Sequence, residues 1–106
     1  MAQILAYDSD PEMNWDVVSS LGHDVTTFND PGETIDYAQE NKVDIALLSN
    51  AEGIDMIKHL REISPKFKVV IFCDAPDIME VRRALRLAPC SFLFKPIVKE
   101  ELDACL

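Results

Sequence analysis

The sequence predicts an α/β protein built on a doubly wound parallel sheet, and three observations carry that reading. Strand-like runs at about 3–8, 24–28, 43–48, 68–73 and 91–95 alternate with segments of helical periodicity, the pattern of βα units closing on a parallel sheet. The third and fourth runs, Ile45-Ala46-Leu47-Leu48 and Val69-Val70-Ile71-Phe72-Cys73, are continuously apolar, as central strands covered on both faces are. Helix start signals, Asp10-Pro11 and Asp30-Pro31, stand just after the first and second runs.

The first strand, Ile4-Leu5-Ala6-Tyr7, ends in Asp8-Ser9-Asp10. Asp10 followed by Pro11 predicts an N-cap with proline at the first helical position. The helix then runs to Gly22, with Met13, Val17, Val18 and Leu21 on one face. The second strand, with Val25, Thr26, Thr27 and Phe28, reads as a sheet edge, and Asp30-Pro31 opens a helix that turns Ile35 and Ala38 inward. Lys42-Val43-Asp44-Ile45-Ala46-Leu47-Leu48-Ser49 has a polar start, a buried strand and a small hydroxyl residue at its C-terminal end. A loop from Ser49 to Gly53 is expected before a helix whose inner stripe is Ile54, Ile57, Leu60 and Ile63, and which stops before Pro65. Asp74, Ala75 and Pro76 lead into a fourth helix with Ile78, Val81 and Leu85 at helical spacing and Arg82, Arg83 and Arg86 in water. Ala88 and Pro89 must end that helix without a glycine. The last helix begins after Pro96 and is cut short at Leu106, after about two turns.

At 106 residues the chain reads as one domain, 1–106, able to bury roughly 65% of the surface its unfolded form exposes. It is either a minimal domain or the front piece of a longer protein, since no linker, repeat or low-complexity segment marks a boundary. A formal charge of −9 argues against direct nucleic-acid binding and against an anionic membrane, and favours a basic patch on a protein partner. Cys73, Cys90 and Cys105 are odd in number and lack metal-type spacing, which favours reduced thiols and a cytoplasmic setting. No apolar stretch approaches the roughly 20 residues of a membrane span. His23 and His59 carry no ligand pattern.

In such a sheet the loops after the first, third, fourth and fifth strands converge at a topological switch point, which gathers Asp8, Ser9, Ser49, Cys73, Asp74 and Lys95 into one cleft. Three motifs meet there: Ile4-Leu5-Ala6-Tyr7-Asp8-Ser9-Asp10-Pro11, Val43-Asp44-Ile45-Ala46-Leu47-Leu48-Ser49 and Phe92-Leu93-Phe94-Lys95-Pro96. With them the chain resembles, from Ile4 to Leu102, the receiver domain of two-component response regulators. The resemblance implies a flavodoxin-like (βα)5 fold with strand order 2-1-3-4-5 and, in active members, an aspartate that accepts a phosphoryl group beside Mg²⁺ held by an acidic pair.

Carried over by position, the resemblance puts Asp8 at the first acid, Ser9 at the second, Ser49 at the acceptor, Cys73 at the switch hydroxyl and Lys95 at the retained lysine. Two carboxylates are lost, so Mg²⁺ binding is expected to be weak or absent. A serine hydroxyl without a positioned base is a poor phosphoryl acceptor. The resulting expectation is a pseudo-receiver with no catalytic residue, which signals independently of phosphorylation through a protein partner or an attached effector domain. Alternatives are a receiver still switchable through Ser49 or a ligand near Lys95, and a small enzyme using Cys73 as nucleophile. Lys95 is expected to pair with Asp8 or Asp74, while Asp8, Asp10, Glu52 and Asp74 either cap helices and face water or form an improvised cation site. By the same resemblance Phe92 takes the aromatic switch position, and Arg82, Arg83, Arg86, Lys99, Glu100 and Glu101 dress the face used for docking or homodimers, or simply a solvated surface.

Overall fold

Side-chain parity along the strands decides the architecture. The structure is a computed structural model that describes residues 2–63, 68–73, 79, 82, 86 and 90–106. Five parallel strands, β1 (Gln3–Tyr7), β2 (Asp24–Phe28), β3 (Ile45–Ser49), β4 (Lys68–Cys73) and β5 (Cys90–Phe94), form one sheet in the order β2-β1-β3-β4-β5. Successive side chains leave a strand on opposite faces, so Leu5, Tyr7, Ala46, Leu48, Val69 and Ile71 enter one core while Ile4, Ala6, Ile45, Leu47, Val70 and Phe72 enter another.

The first core is roofed by α2 (Pro31–Glu40) and α3 (Asn50–Ile63), which add Ala38, Ile54, Met56, Ile57 and Leu60. Asp30 caps α2 by accepting the Glu33 N–H at 2.9 Å, and Pro31 follows it at the first turn. The second core is roofed by α1 (Asp16–Ser19) and a C-terminal helix (Lys99–Cys105), which contribute Val18 and Leu102. β2 lies at one edge, as its sequence predicts, and β5 at the other.

Two expectations about the loops are corrected. No helix starts at Pro11. The Asp10 carboxylate accepts the Glu12 N–H and the Asp10 carbonyl accepts the Met13 N–H, after which Asn14 repeats the side-chain bond with the Asp16 N–H. Consecutive Asx turns of this kind compete with helix formation, and α1 is delayed to Asp16. Gly22, at φ 85°, follows the end of α1 and leads into β2, as read. Nor is there a loop from Ser49 to Gly53: α3 starts at Asn50, which takes φ 59°, a left-handed conformation that asparagine tolerates.

Of the predicted fourth helix, Met79, Arg82 and Arg86 are helical and exposed. Ile78, Val81, Arg83 and Leu85, with Asp74, Ala88 and Pro89, lie outside the described residues. Among the described residues no helix is long and apolar enough to cross a membrane.

Candidate functional site

Asp8 stands one residue past β1 and Lys95 one past β5, while Ser49 closes β3. Asp8 continues the parity of Ile4 and Ala6, Ser49 that of Ile45 and Leu47, and Lys95 that of Leu93, so the three converge at the C-terminal edge on the face of the second core. Asp8 is held from several sides. Its N–H donates to the Phe28 carbonyl at 3.1 Å, Oδ1 accepts the Asp10 N–H at 2.9 Å, and Oδ2 meets the Lys95 ammonium at 2.5 Å. The Lys95 N–H donates to the Cys73 carbonyl at 2.7 Å, which ties β4 to the lysine, and the Lys95–Pro96 peptide is cis.

The electrostatics follow from that geometry. Burial raises the pKa of Asp8, but the bond from Lys95, the Asp10 N–H, the Lys95 charge and the nearby Ser49 hydroxyl together hold it below the ordinary carboxylate range. Ser49 is 1% exposed, and its Oγ approaches the carboxylate without the geometry of a hydrogen bond, leaving it unpartnered among the described residues. Burial first, then the charges of Glu52, Asp8 and Asp30, push the Tyr7 phenol above its usual value.

The sequence-derived residues therefore separate. Asp8, Ser49 and Lys95 come together. Ser9 is exposed on the turn. The Cys73 side chain packs into the first core with Leu48 and Ile71, 4% exposed, and joins the site through its carbonyl. Asp10 and Glu52 are exposed and Asp74 lies outside the described residues. Both Asp8 oxygens are engaged, by Lys95 and by the Asp10 N–H, and among the described residues no three His, Cys, Asp or Glu side chains are grouped to hold a metal ion, so the described donor set is a poor match for Mg²⁺, which takes carboxylate oxygens and keeps several waters.

Around β5, Phe92 is half-buried against the first core and meets Phe94 edge to face at 5.4 Å. Phe94 and Val98 are exposed, as are Lys99, Arg82 and Arg86; Arg83 lies outside the described residues.

Three residues that carry structure escape the sequence reading. Gly53 is one: a Cβ there would lie 2.8 Å from the Leu48 Cβ and 2.9 Å from its carbonyl carbon, so glycine lets α3 press against the end of β3. Thr34, buried within α2, donates its hydroxyl to the Asp30 carbonyl at 2.7 Å. Trp15, the single tryptophan, packs edge to face on Phe72 with centroids 6.4 Å apart. A lone tryptophan four residues after a proline was the available signal for the last.

Comparison with known proteins bears on the fold and the family. A family model described as the response regulator receiver domain matches residues 12–106. A CheY-like receiver domain protein from Methanospirillum hungatei JF-1 superposes with a TM-score of 0.86 at 17% identity, over 98% of this chain and 89% of that one. The chemotaxis protein CheY4 of Vibrio cholerae gives 0.85 at 20% identity, over 100% and 99%. NtrX of Brucella abortus, solved with ATP, gives 0.84 at 20% identity over 95% of this chain but only 24% of its own. No curated protein matches the chain.

Proposed function

Because this chain belongs to the response regulator receiver domain family, we propose that it is a pseudo-receiver that signals without phosphorylation, by protein contact. Two-component signalling is the family's setting, and its members are in general signalling modules rather than enzymes. The observation that carries the proposal is the pairing of a neutral, 1% exposed Ser49 at the acceptor position with an Asp8 whose two oxygens are already committed to Lys95 and the Asp10 N–H. Nothing in that arrangement supplies a carboxylate nucleophile. A divalent ion would have to displace the lysine from Asp8, the one buried acid among the described residues, so Mg²⁺ retention is weak.

One observation favours the rival reading, a receiver still switchable at Ser49: the hydroxyl lies beside a carboxylate with no hydrogen-bond partner among the described residues. That carboxylate makes a poor base, because its pKa is held down by the lysine it pairs with, and the hydroxyl is shut from solvent. On the proposed reading Lys95 works as a brace across the sheet edge. The output passes to a protein partner or an attached effector domain, through the face of Arg82, Arg83, Arg86, Phe92 and Lys99, by docking or homodimerisation.

Incubation with Mg²⁺ and acetyl phosphate, or with Mg²⁺ and beryllofluoride, tests this by intact mass and amide NMR. The expected result is no added phosphoryl mass and no shift at Ser49 or Lys95. A phosphoryl adduct, or saturable shifts at those amides, overturns the proposal.

A further inference from the structure

The sheet order leaves β5 at an edge, and nothing among the described residues pairs with its outer side. The Lys95 N–H donates to the Cys73 carbonyl at the end of β4. Backbone groups alternate in direction along a strand, so those of Leu93 also turn to β4, and the N–H and C=O of Phe92 and Phe94 turn outward. A groove of about 590 Å³ runs beside them, lined by the run from Phe92 to Pro96 with Val98 and Glu101. Phe92 and Phe94 leave one face of the sheet, Leu93 and Lys95 the other. A groove that touches all four therefore follows the strand's edge and lies over neither face.

The two edges of the sheet differ. β2 starts with Asp24, a charge of the kind that keeps an edge from pairing, and its Thr26 and Thr27 are exposed and polar. β5 has no charged residue from Cys90 to Phe94, and Phe94 and Val98 stand 43% and 40% exposed along the groove.

We propose that the outer edge of β5 receives an extended segment of a partner protein as a sixth strand, with apolar side chains at alternate positions and a lysine or arginine at one end. This rests on the protein-contact reading above and names how the contact is made. A row of outward N–H and C=O groups is matched by another extended backbone, whose alternate apolar side chains cover Phe94 and Val98. Lys95 is committed to Asp8, which leaves the Glu101 carboxylate as the groove's other charge and selects a basic residue at the segment's end. A second copy of this chain is the poorer occupant. Its β5 brings no cation, two chains of charge −9 repel, and a five-residue edge is too short to bury the roughly 1,200–2,000 Å² of a stable interface.

The test is titration with blocked six-residue peptides in which Val, Ile or Phe alternates with Thr and a Lys stands at either end. Amide NMR and hydrogen exchange provide the readout. Saturable shifts are expected at Phe92 and Phe94, whose amides should exchange about tenfold more slowly at saturation. Leu93 and Lys95, whose N–H groups already face β4, should keep their protection. Of two peptides N-methylated on alternate sets of amides, one should bind like the parent and the other about tenfold more weakly. Glu101 is exposed, so Glu101→Gln keeps the fold and should weaken the lysine peptide by about threefold. Unmoved Phe92 and Phe94 amides across the series overturn the proposal. Equal binding of the two N-methylated peptides does so too, because it means side-chain docking without strand pairing. An unchanged affinity in Glu101→Gln, or protection of the two amides that rises with protein concentration alone, also overturns it, the last by putting a second copy on the edge. None of these outcomes depends on phosphoryl chemistry at Ser49, so this proposal and the one it rests on fail separately.

Discussion

The two faces of the sheet are built to different standards. One is roofed by α2 and α3, of 10 and 14 residues, which lay Ile54, Ile57 and Leu60 against the central strands. The other has α1, of 4 residues, and a C-terminal helix of 7, with Trp15 and Leu21 filling in beside Val18 and Leu102. A four-residue helix has no stability of its own and depends wholly on what it packs against. Asp8, Ser49 and Lys95 emerge on that thinner face. There a charged pair joining β1 to β5 does work that helix packing does on the other side.

The largest test of this contrast is a matched pair of truncations. Leu60 and Leu102 are both fully buried, on the thick and the thin face. Leu60→Ala should cost about 4 kcal/mol, because a long helix anchored along its length cannot collapse into the void. Leu102→Ala should cost about 2.5 kcal/mol, because a two-turn helix can settle inward and recover some contact. Urea midpoints measure both, and equal losses would remove the distinction between the faces.

Next in size is the pair itself. Lys95→Met leaves Asp8 buried and uncompensated, and should cost about 3 kcal/mol. Asp8→Asn combined with Lys95→Met removes both charges and should recover more than half of that loss in a double-mutant cycle. Simple additivity would mean that the two side chains do not act together.

The fold was legible because parity and continuity of apolar residues are local: the strand bounds, the edge strand and the α3 stripe follow from residues a few positions apart. Asp8 and Lys95 were legible as partners because sheet topology brings strand ends together. The start of α1 was not, because Asp10-Pro11 suits an N-cap and an Asx turn equally, and the choice fell to Asn14 and to the hold of Asp8 on the Asp10 N–H, a contact made only in the folded edge. Cys73 was placed by position in the family's pattern, whereas strand parity sends its side chain to the apolar core. Gly53 matters through a close approach to Leu48 that periodicity does not reveal.

A smaller effect is the acid limb of stability. The folded pKa of Asp8 lies below its unfolded value, so the unfolded chain binds the proton first as pH falls. The contribution of Asp8 is fully present above the unfolded value near about 3.9 and fades as pH drops through the folded one. Asp8→Asn should therefore flatten the fall of the urea midpoint below about pH 4 and leave its slope between pH 5 and 7 unchanged. An acid limb as steep as before would show that other carboxylates govern it.

The smallest effect bears most directly on Ser49. Two consequences of Ser49→Ala oppose each other. Removing a buried hydroxyl that has no hydrogen bond among the described residues returns its desolvation cost, which for a neutral group is about 1 kcal/mol or more. Removing a hydroxyl beside Asp8 also withdraws a minor support of the carboxylate, the least of those that hold its pKa down. Because Lys95 and the Asp10 N–H remain, the first consequence wins. Ser49→Ala should be neutral or stabilising by up to about 1 kcal/mol, with signalling by the full-length protein unchanged. A destabilisation beyond about 1 kcal/mol would mean that the hydroxyl is bonded after all, and lost signalling with stability intact would make Ser49 a working residue and overturn the proposed function.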